Sequence, residues 1–238
     1  MGECFMFGRG TLVLFDPVFE NNSWETIILA CQLNKVPAAW RVADQKTMTI
    51  DGHEYHIDII GKQHDDYADG SGKAPLTLQM HECFAADWEY SLSPMSRSGG
   101  TIAAGWQQSY IRTTVAPAAL AVMPAAVQSA IREVNKLTAE KPLNANIITT
   151  ADKLFLPSEV ELTGSAGYSR QGEGTRYPYY ETYGSFAKPR LGETGTPDWW
   201  LRSPAKQYLT SNVYAFGYNG TGVHSYGDEL RVSFAFCF

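Results

Sequence analysis

The sequence predicts an α+β fold, a single domain with an antiparallel sheet and two or more helices, on three observations. Strand-forming residues from Met48 to Ile60 flank Asp51-Gly52, the dipeptide that turns antiparallel strands through positive backbone angles. Trp24, Ile27, Ile28 and Cys31 recur at the spacing of one helical face. Leu230, Val232, Phe234, Phe236 and Phe238 alternate with Arg231, Ser233, Ala235 and Cys237, the period of a half-buried strand.

The remaining elements follow in chain order. The first ten residues read as a peripheral segment ahead of a domain spanning 11–238. Asn22-Ser23-Trp24-Glu25 supplies a capping residue and an early carboxylate for the first helix. Asp65 to Gly72 and Ser91 to Gly100 are rich in Gly, Ser and Asp and predict loops, with a short strand from Leu76 to Met80 between them. Trp106 to Thr114 reads as a helix. A second starts at Pro124, which suits the first helical position, with Val127, Ala130, Ile131 and Val134 as its apolar stripe. Leu154-Phe155-Leu156 reads as a short buried strand. Ser158-Glu159-Val160-Glu161 fits a capping box, in which Ser158 and Glu161 satisfy each other's free backbone amides, so a brief helix begins there and stops by Gly164. Ser165 to Pro197 has no period and is too aromatic for a disordered linker, so it predicts a long ordered loop region. No internal repeat or charge-biased linker divides the chain.

With 238 residues, 44% of them hydrophobic and 13% aromatic, the chain can bury a sizeable core. A net charge of -6, without a run of five Lys or Arg, leaves no electrostatic footprint for nucleic acid or an anionic membrane. Apolar runs such as Thr11 to Phe15 fall far short of the roughly 20 residues that span a bilayer, so no membrane insertion is expected. Met1-Gly2-Glu3-Cys4 has neither the basic start nor the long apolar stretch of a classical signal peptide. Cys4, Cys31, Cys83 and Cys237 are scattered without a C-x-x-C pair and read as buried thiols.

Several short clusters carry side chains of the types that do chemistry. His64, Asp65, Asp66 and Asp69 have metal-ligand side chains, but one short cluster cannot fill a coordination shell, and a polar loop capped by Asp is the plainer reading. Gly70-Ser71-Gly72-Lys73 lacks the spacing of a phosphate loop. His53 and His56 sit on opposite faces of a predicted strand and cannot jointly hold an ion. No nucleophile elbow organises a Ser or Cys with a His. The expectation is a protein without catalytic residues, metal or cofactor.

The hexapeptide Trp199-Trp200-Leu201-Arg202-Ser203-Pro204 reads as core. On a strand its indoles point to opposite faces, while the planar fork of Arg202 can hold a buried carboxylate or loop carbonyls. From Ala205 to Gly227 the text changes to Tyr, Ser, Thr, Asn and Gly. That mixture supplies broad contact area and adaptable hydrogen bonds, as in antibody loops.

From Asp16 to Phe238 the chain resembles the WWLRSP-type domains of gut bacteria and their phages. The matching stretches are Asn21 to Trp24, Gly61 to Asp66, Tyr110-Ile111-Arg112, Asp152 to Leu156, Trp199 to Pro204 and Val232 to Phe236. The resemblance implies a C-type-lectin-like fold akin to the variable proteins of diversity-generating retroelements, with a distant likeness to formylglycine-generating enzymes. It makes Trp199, Trp200, Leu201, Arg202 and Phe234 scaffold. The implied ligand-binding surface is Lys206, Gln207, Tyr208, Thr210, Asn212, Tyr214, Tyr218, Asn219, Thr221, His224, Ser225 and Tyr226. Glu229-Leu230-Arg231 departs from the Gly-Val step common in relatives.

The expected function is therefore non-catalytic binding of a host cell-surface protein or glycan, by a protein displayed on a virion or cell surface, with homo-oligomerisation left open. A virion decoration protein without a receptor uses the same fold. An oxidase of the formylglycine-generating kind needs paired thiolates for copper, and only Cys237 lies in the C-terminal segment.

Overall fold

In chain order the elements are strands β1 (Glu3–Phe7) and β2 (Thr11–Phe15), helix α1 (Trp24–Gln32), and strands β3 (Gln45–Ile50), β4 (His53–Lys62) and β5 (Leu76–Met80). Helices α2 (Ala116–Ala121) and α3 (Ala125–Ala130), strands β6 (Val134–Ala139), β7 (Ile147–Asp152) and β8 (Leu154–Phe155), and helices α4 (Glu159–Thr163) and α5 (Pro178–Tyr183) follow. Strands β9 (Trp199–Pro204), β10 (Asn212–Gly217), β11 (Gly220–Ser225) and β12 (Ala235–Cys237) close the chain. The computed structural model describes residues 3–7, 11–97, 105–141, 146–183, 186–193, 195, 198–206, 212–217 and 220–238, with backbone alone for 3–7, 11–13, 212–217 and 220–223.

The class is α+β, and the main sheet is antiparallel with the order β3-β4-β5-β12-β8. Its first hairpin turns where the sequence places it: Asp51 and Gly52 hold φ of 50° and 79°, the two positive angles of the tight turn. Helix α1 is capped by Ser23, whose hydroxyl accepts the Thr26 amide, and buries Ile27, Ile28 and Cys31. The capping box at Ser158 and Glu161 forms in full, and Gly164 ends α4 in the left-handed conformation.

Four expectations are corrected. Trp106 to Thr114 is not one helix: a 3-10 turn over Trp106–Gln108 gives way to a π turn over Ile111–Val115 that runs into α2. Pro117 cannot donate the amide that a regular helix needs at that step. Pro124 caps α3 from outside, and the stripe outlasts the helix, because Ile131 is already extended and Val134 begins β6. Helix α5 lies within the stretch predicted as loop. The terminal strand is buried on both faces, not half-buried: β12 runs between β5 and β8, and Ala235 and Cys237 are as enclosed as Phe234 and Phe236.

One apolar cluster runs from Phe15 to Phe238 and includes the sheet, α1, and both indoles of β9. The first ten residues contribute β1, which pairs with β2 alone. Cys31, Cys83 and Cys237 are buried free thiols; the side chain of Cys4 lies outside the description. Among the described residues no helix is long and apolar enough to cross a membrane.

Candidate functional site

The candidate site is built on β9, every residue of which is buried. Trp199 donates its indole N–H to the Phe186 carbonyl at 3.0 Å and Trp200 to that of Ser93 at 2.6 Å, so both bury their rings with the polar atom satisfied. On one edge the Trp200 amide donates to the Arg231 carbonyl, and on the other β9 pairs with β10.

Arg202 ties this strand to everything beneath it. Its guanidinium donates to both carboxylate oxygens of Glu161 at 2.5 and 2.8 Å, to the Thr138 hydroxyl at 2.9 Å, and to the carbonyls of Leu156, Leu137 and Glu173. Glu161 also takes Lys136 at 2.7 Å, and Lys136 bridges on to Asp65 at 2.6 Å. Burial alone would raise the pKa of Glu161, but Arg202 and Lys136 outweigh it and hold its carboxyl below the usual range. Gly174 lets the chain pass close: at φ of +106°, a Cβ there would lie 2.7 Å from Oε1 of Glu161.

The neighbouring Glu173 behaves in the opposite way. Its carboxylate accepts the Ala139 amide and the Ser203 hydroxyl, yet burial pushes its pKa from 4.5 up to about 7. Between those values the unfolded chain has released this proton and the folded chain has not, so the group costs stability as pH rises through that window. Glu173→Gln is expected to remove the slope and stabilise the protein above pH 7, by roughly 3 kcal/mol relative to wild type if the whole shift is realised. Urea unfolding of both proteins from pH 4.5 to 8 checks this; parallel profiles would refute it.

The predicted surface residues divide by position. Gln207, Tyr208, Thr210, Tyr218 and Asn219 lie outside the described residues. β10 and β11 pair Asn212 with Ser225, Tyr214 with Val223 and Phe216 with Thr221, so Asn212, Tyr214, Thr221 and Ser225 share one sheet face by register. Ser225 is exposed. His224 falls on the other face: its ring meets Trp200 edge-on at 6.1 Å, and its nitrogens lie 3.0 Å from Asp198 and 3.3 Å from Asp228. Lys206 is tied down by its ammonium to the Ala166 carbonyl, and Tyr226 packs partly against the core.

The His64 cluster does not converge. Asp65 is a core charge that binds Lys136, Thr77 and Tyr177. Burial alone would raise its pKa, but Lys136 first, then His64 at 3.7 Å and Thr77, hold its carboxyl well below the usual range. Asp66 pairs with Lys73 and Asp69 with Arg132, while His64 stacks on Tyr177. Among the described residues no group of three or more His, Cys, Asp or Glu is arranged for a metal. The thiol of Cys237 faces Thr77 and Asp65 inside the core. Sequence reasoning covered His56 but missed its neighbour His81. His81 lies 2.9 Å from buried Asp58 and His56 lies 2.8 Å from Glu82, each through Nδ1, and a strand crossing joins the two residues. It also missed a cleft of about 350 Å³ beside Arg112, Leu120, Glu133, Asp152 and Lys153. Arg112 is spent there on Asp152 and two carbonyls.

A family model described as a domain of unknown function (DUF6273) matches residues 85–236, a span that holds β9, the pairing strands β10 and β11, and the first two residues of the terminal strand. No curated protein and no solved structure matches the chain.

Proposed function

Because the chain belongs to the DUF6273 family, whose description assigns no activity, its own geometry must carry the reading, and we propose that it is a non-catalytic ligand-binding protein. The fold behind this reading is C-type-lectin-like, and the binding face is that of β10 and β11 carrying Asn212, Tyr214, Thr221 and Ser225. The observation that carries it is the contrast between β9 and the hairpin paired with it. Six consecutive buried residues of β9 are locked by Arg202 and two hydrogen-bonded indoles, and the β10–β11 hairpin, one face of which carries Asn212, Tyr214, Thr221 and Ser225 beside Phe216 and Val223, pairs directly with that frame. A rigid platform under adaptable polar and tyrosine side chains lowers the ordering cost of binding. The ligand is a cell-surface protein or glycan, met by a protein displayed on a virion or a cell surface.

Ser225→Arg places a long side chain on the exposed end of that face without touching the core. It should leave the melting temperature within about 2 °C of wild type and abolish binding to host cells or to a glycan and protein array. Trp200→Ala should do the reverse, costing roughly 3 to 5 kcal/mol through the cavity it leaves. If Ser225→Arg binds like wild type, the face is misassigned.

A further inference from the structure

Arg190 and Arg231 come from segments 41 positions apart, and each is fixed by its backbone. Arg190 forms a parallel bridge with Cys83, which follows β5, and Arg231 forms one with Trp199 of β9. Their side chains meet at a single carboxylate: Glu193 Oε1 lies 3.0 Å from Arg190 and Oε2 lies 3.5 Å from Arg231. Two cations therefore share one anion. The second contact is longer than the 2.7 to 2.9 Å typical of a charge-assisted hydrogen bond, so neither fork is engaged bidentately.

Three further observations point to a site for an anion. Among the described residues, the Nε protons of both arginines are buried without an acceptor, although each could donate to an oxyanion. Arg190 is nine-tenths buried, so its charge is enclosed with half a partner. The carboxylate of Asp58 is already taken by the enclosed Lys188 at 3.5 Å, so it is no spare anion for the two arginines. Glu193, by contrast, is 42% exposed, at the end of a turn in which its amide donates to the Arg190 carbonyl. Only the Glu193 end of the pair is exposed, so its carboxylate can swing into water provided that an incoming oxyanion takes over the enclosed charge of Arg190.

We infer that Arg190 and Arg231 form an oxyanion-binding site for a carboxylate or sulfate group, with Glu193 as an internal stand-in that the ligand displaces. The site lies along the edge of β9 opposite β10, so it adds to the proposed binding face rather than repeating it. An acidic glycan as the source of the oxyanion rests on the binding function proposed above; the site itself does not.

The probe is sodium sulfate against sodium chloride at equal ionic strength, read by thermal shift and calorimetry on the full chain. Sulfate should stabilise wild type beyond chloride. Glu193→Gln, which removes the competitor at an exposed position, should bind sulfate roughly tenfold more tightly, and Arg231→Gln should weaken it at least about tenfold. Arg190→Lys keeps the enclosed charge but removes the fork and should also weaken binding. If that variant fails to fold, Arg231→Gln alone decides, since its backbone carbonyl still serves Trp200. No sulfate-specific effect in wild type or Glu193→Gln, or one that survives Arg231→Gln, overturns the site. Sialylated, sulfated and neutral forms of one glycan then identify the source. Sulfate binding without any glycan or cell binding removes the proposed function and leaves the site; glycan binding blocked by Ser225→Arg but indifferent to Arg231→Gln does the opposite.

Discussion

Arg202→Ala is expected to cost roughly 3 to 5 kcal/mol, enough to unfold a marginally stable domain. The guanidinium is fully enclosed and serves a carboxylate, a hydroxyl and three carbonyls. Truncation strands all of them at once, and an unsatisfied buried acceptor is far more costly than an absent one. Glu161 would keep Lys136, but Lys136 is already shared with Asp65, so the cluster of two carboxylates would have one cation in place of two. Arg202→Lys should recover only part of the loss, because an ammonium reaches one oxygen where the fork reaches two. Arg202→Met combined with Glu161→Met should be more stable than Arg202→Ala, since the stranded carboxylate goes with its partner. Urea unfolding followed by tryptophan fluorescence measures all three. A loss below about 1 kcal/mol in Arg202→Ala would mean that the network is solvated and does not hold β9.

How far the sequence reveals this arrangement depends on which side of each strand is apolar. The β3–β4 hairpin and the strand Leu76–Met80 are legible because their buried positions are aliphatic and their turn carries Asp51-Gly52. β6 and β7 are illegible for the converse reason: four of their six enclosed positions are Lys136, Thr138, Thr150 and Asp152, while Leu137 faces outward. An alternation that puts charge inside reads as noise, and Val134 then joins the preceding helix by coincidence of spacing. The partners that make those positions tolerable, Glu161 and Arg202 for β6 and Arg112 and Trp106 for Asp152, lie 25 to 64 residues away, beyond any local pattern. The scaffold role of Trp199, Trp200 and Arg202 was readable because adjacent indoles followed by a planar cation have few placements outside a core. The split of the polar segment into two faces was not, since it follows from the register of β10 with β11 and from a bulge against β9 between Val213 and Ala215. His224 thereby joins Trp200, and Ser225 the open side. The sharing of Glu193 by Arg190 and Arg231 was equally hidden, because it needs two distant backbone bridges to bring the heads together.

Ending the chain at Arg231 is expected to abolish the cooperative fold. The seven residues removed are all 2% exposed or less, and β12 is an inner strand of the main sheet, paired on both sides. Val232, Phe234, Phe236 and Phe238 alone account for roughly 6 to 12 kcal/mol of burial at 1.5 to 3 kcal/mol each, against a typical total stability of 5 to 15 kcal/mol. The loss also strands donors that pairing had satisfied: the Met80 amide loses the Phe234 carbonyl, the Arg132 amide that of Cys237, and the Tyr67 hydroxyl that of Phe238 at 2.6 Å. Because β5 and β8 each face β12, the truncated sheet would expose two unpaired edges lined with apolar side chains, a surface prone to association. The shortened protein should therefore lose its near-UV dichroism, bind a hydrophobic dye and melt without a sharp transition. Removing residues 1–10 makes the contrasting control. That segment meets the rest of the chain through β1 and β2, and Phe15 remains to fill the core, so the sharp transition should persist. A truncation at Arg231 that still melted cooperatively, with native near-UV signal, would show that the core closes without its terminal strand and that the residues after β11 belong to the binding surface instead.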